Sequence, residues 1–256
     1  MHITLTVNNS SKNVIIYKNG VSILDATIGA SYIEEARDIS FLCNNNAGDR
    51  PVHGDMSDVR FYNTALTAEQ VKDIYFNQTI LGTEVLHYKF NEKMGITAFD
   101  SSGNGYDGTL TGGPTYYLSN PYRNYAMSFD GTNDYIDMGH ISSLNFERTD
   151  SFSLFTWVNM DESGAAPVAG QYNQSVDTGY DMWVNTLKVY VHIRNSSSNC
   201  IKLYTTNTIN SGVWTHIGFT YDGTSDASGV KLYINSAQYS STVSDNDLTA
   251  TIKSSD

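Results

Sequence analysis

"HGDMSDVRFYNTALTAEQVKDIY", residues His53 to Tyr75, reads as an extended segment that runs directly into a short helix. "GDMSDVRFYN" has the length and alternation of a strand, and the polar "NT" after it breaks the pattern. In "ALTAEQVKDIYFNQ", Thr67 is placed to cap the first turn while Gln70 reaches back to it, and Val71, Ile74 and Tyr75 then share one face. So short an amphipathic helix belongs against a sheet. Upstream, "ITLTV" and "NVIIYK" alternate on either side of the polar turn "NNSSK", which predicts a hairpin, and "DISFL" supplies a further strand before the loop "CNNNAGDRPVH".

Beyond the seam "NQTILGTE" the same style continues. "EVLHYKFNE", "YAMSFDGTNDYIDMG", "DSFSLFTWVNM", "GYDMWVNTLKVYVHIR" and "NCIKLYTT" are short strands punctuated by Gly, Asn and Asp, as in an antiparallel sandwich or jelly roll and unlike βαβ units. "FDGTNDYIDMG" reads as a hairpin with its tight turn at Asp130 and Gly131. The 20 Gly and 18 Tyr among 256 residues fit turn-rich β structure, and helix is expected to be minor.

With 15 Lys and Arg against 27 Asp and Glu, the net charge is −12, the wrong sign for coating phosphates or an anionic membrane surface. Nucleic acid is therefore not an expected partner, nor is membrane insertion, since no apolar run reaches membrane-spanning length. Cys43 and Cys200 show no metal-binding spacing; each is read as a free thiol, with a disulfide open only if the two ends of the chain fold together.

One strand pair occurs twice. "HITLTVNNSSKNVIIYKNG" (His2 to Gly20) and "HIGFTYDGTSDASGVKLYINS" (His216 to Ser236) share a His-led alternating run, a polar turn and a second run that closes on Tyr-x-Asn-small. The shared His position suggests a role in the fold, such as a hydrogen bond to a neighbouring turn.

Taken as an ordered series, "FDSSGNGYDGTL" (Phe99 to Leu110), "MSFDGTNDYIDMG" (Met127 to Gly139), "SFSLFTWVNM" (Ser151 to Met160), "WTHIGFTYDG" with "VKLYIN", and "HGDMSDVRFYNTALTAEQVKDIY" resemble the laminin-G-like, concanavalin A-like jelly roll of the LamG-like, pentraxin-like subgroup. The resemblance covers most of the chain and implies an all-β antiparallel sandwich with one short helix. Its order is reversed, however. In that family the segment matched by "WTHIGFTYDG" precedes the strand and helix matched by residues 53–75. Residues 1–80 thus resemble the C-terminal part of one sandwich and residues 84–256 the N-terminal part of another. They either combine into one sandwich or complete neighbouring chains by strand exchange, and a fragment of a longer tandem array fits as well. A sandwich has one place for the repeated hairpin, so one copy must be displaced.

The resemblance also implies a Ca²⁺ site shared by the loop "DSSGNG" and the closing strand, which would draw on Asp100, Asn104 and Asp58. The competing reading makes Asp100 a turn residue that caps backbone amides, and Ser57 stands where the closing strand usually carries a second acid. For Asp134 and Asp137, turn chemistry is the preferred reading. Trp157 and Trp214 read as core. Trp183, with Tyr180 and Tyr172 nearby, is the candidate for stacking a sugar ring, although alternation leaves open which way it faces.

No catalytic pattern emerges. Carboxylates alternating along one strand, a Gly-x-Ser-x-Gly elbow, a His-Glu-x-x-His helix and a phosphate loop are all lacking, and "IEEAR" (Ile33 to Arg37) reads as a solvated loop. The expectation is a non-catalytic recognition or adhesion module of an extracellular, cell-surface or virion protein, binding a glycan or another surface ligand, with Ca²⁺ as the implied cofactor. A fibre or capsid-decoration subunit built by strand exchange, and an accessory domain of a longer glycoside hydrolase, are the alternatives.

Overall fold

The computed structural model describes residues 3–8, 13–18, 21–27, 39–41, 53–64, 66–67, 70, 84–118, 125–161, 165–173 and 177–253. The chain divides into two compact units, Met1–Glu34 with the terminal Asp256, and Glu35–Ser255.

In the first unit β1 (Ile3–Asn8), β2 (Asn13–Lys18) and β3 (Val21–Thr27) form an antiparallel meander. Ile3 pairs with Lys18, Leu5 with Ile16 and Val7 with Val14.

The second unit contains β4 (Ile39–Phe41), β5 (His53–Tyr62), β6 (Glu84–Tyr88), β7 (Thr97–Ala98), β8 (Gly108–Thr111), β9 (Thr115–Tyr117), β10 (Ala126–Asp130) and β11 (Tyr135–Asp137). It continues with β12 (Phe152–Met160), β13 (Ala166–Asn173), β14 (Thr178–Asn185), β15 (Lys188–Ser196), β16 (Asn199–Thr205), β17 (Thr215–Tyr221), β18 (Val230–Ile234), β19 (Ala237–Tyr239) and β20 (Ser241–Asn246). Among the described residues these make two antiparallel sheets. One has eight strands in the order β19-β18-β17-β12-β5-β10-β9, with β6 also on β5; the other has nine in the order β20-β16-β15-β14-β13-β4-β11-β8-β7. The fold is the expected all-β sandwich.

Alternation explains the core. Phe152, Leu154, Val158 and Met160 of β12 meet Met182, Val184, Val191, Ile193, Ile201 and Leu203 of the nine-stranded sheet in one buried cluster. Burying such side chains contributes about 1.5–3 kcal/mol each and is the main force closing the sandwich.

Segments from the early part of the chain occupy interior places in both sheets. β5 lies between β12 and β10, pairing Met56 with Met127 and Val158, and β4 lies between β13 and β11. Met56, Val59 and Phe61 consequently belong to the same core as Leu154 and Phe219.

Of the helix expected over residues 67–78, the capping pair is seen. The Thr67 amide donates to Gln70 Oε1 at 2.9 Å and the Gln70 amide to Thr67 Oγ1 at 3.2 Å. Val71, Ile74 and Tyr75 lie outside the described residues, as do His2, Cys43 and the Ile33 to Arg37 stretch. Cys200 carries a free, buried thiol.

One expectation is corrected. "FDGTNDYIDMG" is not a hairpin, because β10 belongs to the eight-stranded sheet and β11 to the nine-stranded one. The turn between them crosses the core edge, with the Asp130 amide donating to the buried Asp134 carboxylate at 2.9 Å. Period-two alternation survives a change of sheet, so it cannot distinguish the two cases. Trp157 is fully buried as expected, whereas Trp214 is half-buried.

Candidate ligand-binding face

In the nine-stranded sheet the side chains that point away from the core line up in rows across the strands. Trp183 pairs with Tyr190 and Tyr190 with Tyr204, which makes an aromatic row over β14, β15 and β16. The next row, two residues or about 7 Å along the strands, holds Asp181, His192 and Lys202. The third holds Tyr172 on β13, Gly179 on β14 and Arg194 on β15. The tight turn at Thr186 and Leu187, both at positive φ, fixes the register of β14 on β15.

These groups interlock. Asp181 receives Arg194 Nη2 on one oxygen and faces His192 Nδ1 at 2.8 Å on the other. The Arg194 guanidinium crosses Gly179 and stacks 4.2 Å from the Tyr172 ring centre, while the Tyr172 hydroxyl donates to Asp177 at 2.8 Å. Gly179, at φ +122°, is required here, since a Cβ would lie 2.0 Å from the Gln171 carbonyl oxygen. Tyr190 and Tyr204 stack at 4.7 Å, and Lys188 Nζ sits 5.1 Å from the centre of the Tyr204 ring.

Burial by itself would raise the Asp181 pKa, but the Arg194 and His192 charges outweigh it and hold the carboxyl below its ordinary value. Loss of solvent around Tyr172, with its bond to Asp177, pushes that phenol up to about 12. The face therefore carries a fixed carboxylate, a fixed guanidinium and, at Tyr172, a phenol held neutral. Tyr172, Tyr190, His192 and Tyr204 are half-exposed.

Of the three residues expected to stack a sugar, Trp183 and Tyr172 share this face and Tyr180 does not. Tyr180 lies three positions before Trp183, an odd separation, so it turns into the core, where it is 1% exposed and donates its hydroxyl to the Leu144 carbonyl at 2.9 Å. Trp183 is 6% exposed and forms the floor of the face. Two further accessible rings beside Tyr172 are Tyr190 and Tyr204, which sequence reasoning missed. The alternation of "KVYVHIR" and "KLYTT" was the available signal, and it becomes informative once the register is known.

The three residues expected to hold Ca²⁺ do not form a cation cage. Asp100 Oδ1 accepts the amides of His87 (3.0 Å) and Ser102 (2.9 Å), and Oδ2 accepts the Ser102 hydroxyl (2.7 Å) and the Tyr106 amide (3.2 Å). Asn104 turns its amide nitrogen to the Val85 carbonyl at 2.9 Å and so ties the turn to β6. Asp58 sits at φ +58° in an irregularity of β5 and receives Arg60 Nε at 3.0 Å, with His87 Nε2 at 2.5 Å. His87 meets Asp58 through its ring and Asp100 through its backbone, so the strand itself separates the two carboxylates. Ca²⁺ takes six to eight oxygen ligands. Among the described residues no group of three or more His, Cys, Asp or Glu is placed to hold a metal.

His216 has the structural part expected of it. Its amide donates to Asn235 Oδ1 at 3.0 Å in the turn after β18, and its ring stacks on Phe155 at 5.6 Å.

A two-sheet antiparallel sandwich of this kind is the architecture of the concanavalin A-like jelly roll. The chain belongs to the concanavalin A-like lectin/glucanase superfamily, whose laminin G family model matches residues 1–72 and 130–255. That superfamily includes both glycosidases and non-enzymatic lectins. No curated protein and no solved structure matches the chain. No helix among the described residues is long and apolar enough to cross a membrane.

Proposed function

We propose that the outward face of the nine-stranded sheet binds glycan, without catalysis and without Ca²⁺. The observation that carries this reading is the convergence on one face of half-exposed Tyr190, Tyr204 and Tyr172 with the preordered Asp181, His192 and Arg194 group. Aromatic rings take the C–H faces of pyranoses, and a carboxylate and guanidinium already fixed by each other offer hydroxyl partners at little ordering cost. The charges on the face nearly balance, with Lys188, Lys202 and Arg194 against Asp177, Asp181 and Asp245, which favours a neutral or weakly charged sugar. The chain's net charge of −12 opposes strongly anionic polysaccharides.

A labelled chain probed on a glycan array tests the proposal. The expected result is a family of related hits that persists in a chelator and disappears for the Tyr190→Ala/Tyr204→Ala variant. A blank array, or hits that the variant retains, would overturn it. Release of reducing ends from a bound glycan would overturn its non-catalytic part.

A further inference from the structure

The two copies of the repeated hairpin fold in the same register. In the first, Ile3 pairs with Lys18, Thr4 with Tyr17, Leu5 with Ile16 and Val7 with Val14; in the second, Ile217 pairs with Ile234, Gly218 with Tyr233, Phe219 with Leu232 and Tyr221 with Val230. The third strands begin alike, Lys18 with Val21 matching Ile234 with Ala237, and Tyr17 with Ser22 matching Tyr233 with Gln238, after which the first copy shifts by one residue between Tyr17 and Ile16. Position by position, Thr4 corresponds to Gly218 and Lys18 to Ile234.

The second copy sits beside β12, where Phe155 lies directly opposite Gly218. Phe155 is fully buried between His216, at 5.6 Å, and Tyr233, at 5.8 Å, and its ring fills the space that a side chain at 218 would take. A Cβ there would lie 2.2 Å from Phe155 Cδ1 and 2.4 Å from the Leu154 carbonyl oxygen. Because the second contact is to backbone, a change of rotamer cannot relieve it. Ile234, in turn, is 5% exposed and part of the sandwich core, so a lysine at that place would carry a charge into apolar surroundings.

We propose that Gly218 and Ile234 reserve the place beside β12 for the second hairpin, and that Thr4 and Lys18 bar the first from it, both in its own chain and in a second copy. The repeat is therefore not a means of exchanging hairpins between copies. Among the described residues 215–239 hold the place beside β12, and identity of register, which would otherwise make the two copies interchangeable, is cancelled at two positions.

Amide hydrogen exchange on the full chain, with light scattering for mass, tests this. In Gly218→Thr the amides of 215–221 should lose their protection while the β1 amides that do not bond β2 gain none. Adding Thr4→Gly and Lys18→Ile to that variant should transfer protection to those β1 amides, and the mass then shows whether the place is filled within one chain or by a second copy. If Gly218→Thr does not fold, recovery of the fold on adding the two first-copy substitutions is the equivalent supporting result. Unchanged protection of 215–221 in Gly218→Thr would overturn the proposal. So would protection of β1 in that single variant, or no gain of protection or fold in the triple one.

Discussion

The two outer faces of the sandwich are built on the same alternation and end in opposite states. On the eight-stranded sheet Tyr62, Phe155, Trp157, His216 and Tyr233 point away from the core and are nonetheless fully buried, with Tyr62, Phe155, Tyr233 and Leu66 forming a cluster separate from the main core. On the nine-stranded sheet Tyr172, Tyr190, His192 and Tyr204 point away from the core and remain half-exposed. Their polar groups differ in kind too. Asp58, Arg60, Glu84 and His87 form a closed network on the first sheet, where burial tends to raise the Glu84 pKa while His87 and Arg60 bring it below its usual value. On the second, Asp181, His192 and Arg194 border rings that solvent reaches. Aromatic content alone therefore does not mark a binding face. The first sheet's aromatics are buried with the fold, whereas Tyr172, Tyr190 and Tyr204 of the second are reached by solvent.

That contrast sets an order of effects. Phe155→Ala, which empties a fully buried site on the closed face, should lower unfolding free energy by about 3–5 kcal/mol, read by urea denaturation, while leaving glycan contacts intact in the folded fraction. Asp181→Asn should cost about 2 kcal/mol, because Arg194 and His192 lose their ionised partner. The pH dependence has a definite sign. Since the folded Asp181 pKa is depressed, its contribution is present above the unfolded value of about 3.9 and is lost as pH falls through the lower folded value. Acid unfolding curves of the wild type and Asp181→Asn should therefore converge below about pH 4.

Tyr204→Ala inverts the pattern. It removes a half-exposed ring from a cross-strand pair, so stability should change by no more than about 1 kcal/mol, whereas glycan affinity should fall at least about tenfold, or 1.4 kcal/mol. A Ca²⁺ titration followed by thermal unfolding should show the smallest effect, no shift of Tm, since a cation held only by the folded state would raise it. A rise that Asp100→Ala abolishes would mean that the turn opens to take the ion.

The sandwich was legible in the sequence because alternation, turn residues and the Thr67 and Gln70 capping pair are local properties. The unusual order of its pieces was expected from the family resemblance, and β5 does pair with β10 and β12, which follow it in the chain. What alternation cannot supply is register. Tyr180 and Trp183 look like neighbours along the chain and point to opposite sides of β14, whereas Trp183, Tyr190 and Tyr204 are scattered along the chain and adjacent in space. The assignment of β10 and β11 to one hairpin failed for the same reason, since a strand reads alike whichever sheet it joins. The Asp100 loop is a different case. Its oxygen-rich composition suits a cation and a capped turn equally, and the four hydrogen bonds its carboxylate accepts favour the turn.

Ligand is expected to meet the outward face of β15 and β16. Amide exchange on the wild-type chain, with and without the strongest glycan found on the array, measures this directly. The predicted result is slowed exchange concentrated in residues 188–205. Slowing confined instead to the cleft of about 540 Å³ bordered by Asp226, Tyr239 and Asn246, or to the turn around Asp100, would contradict it.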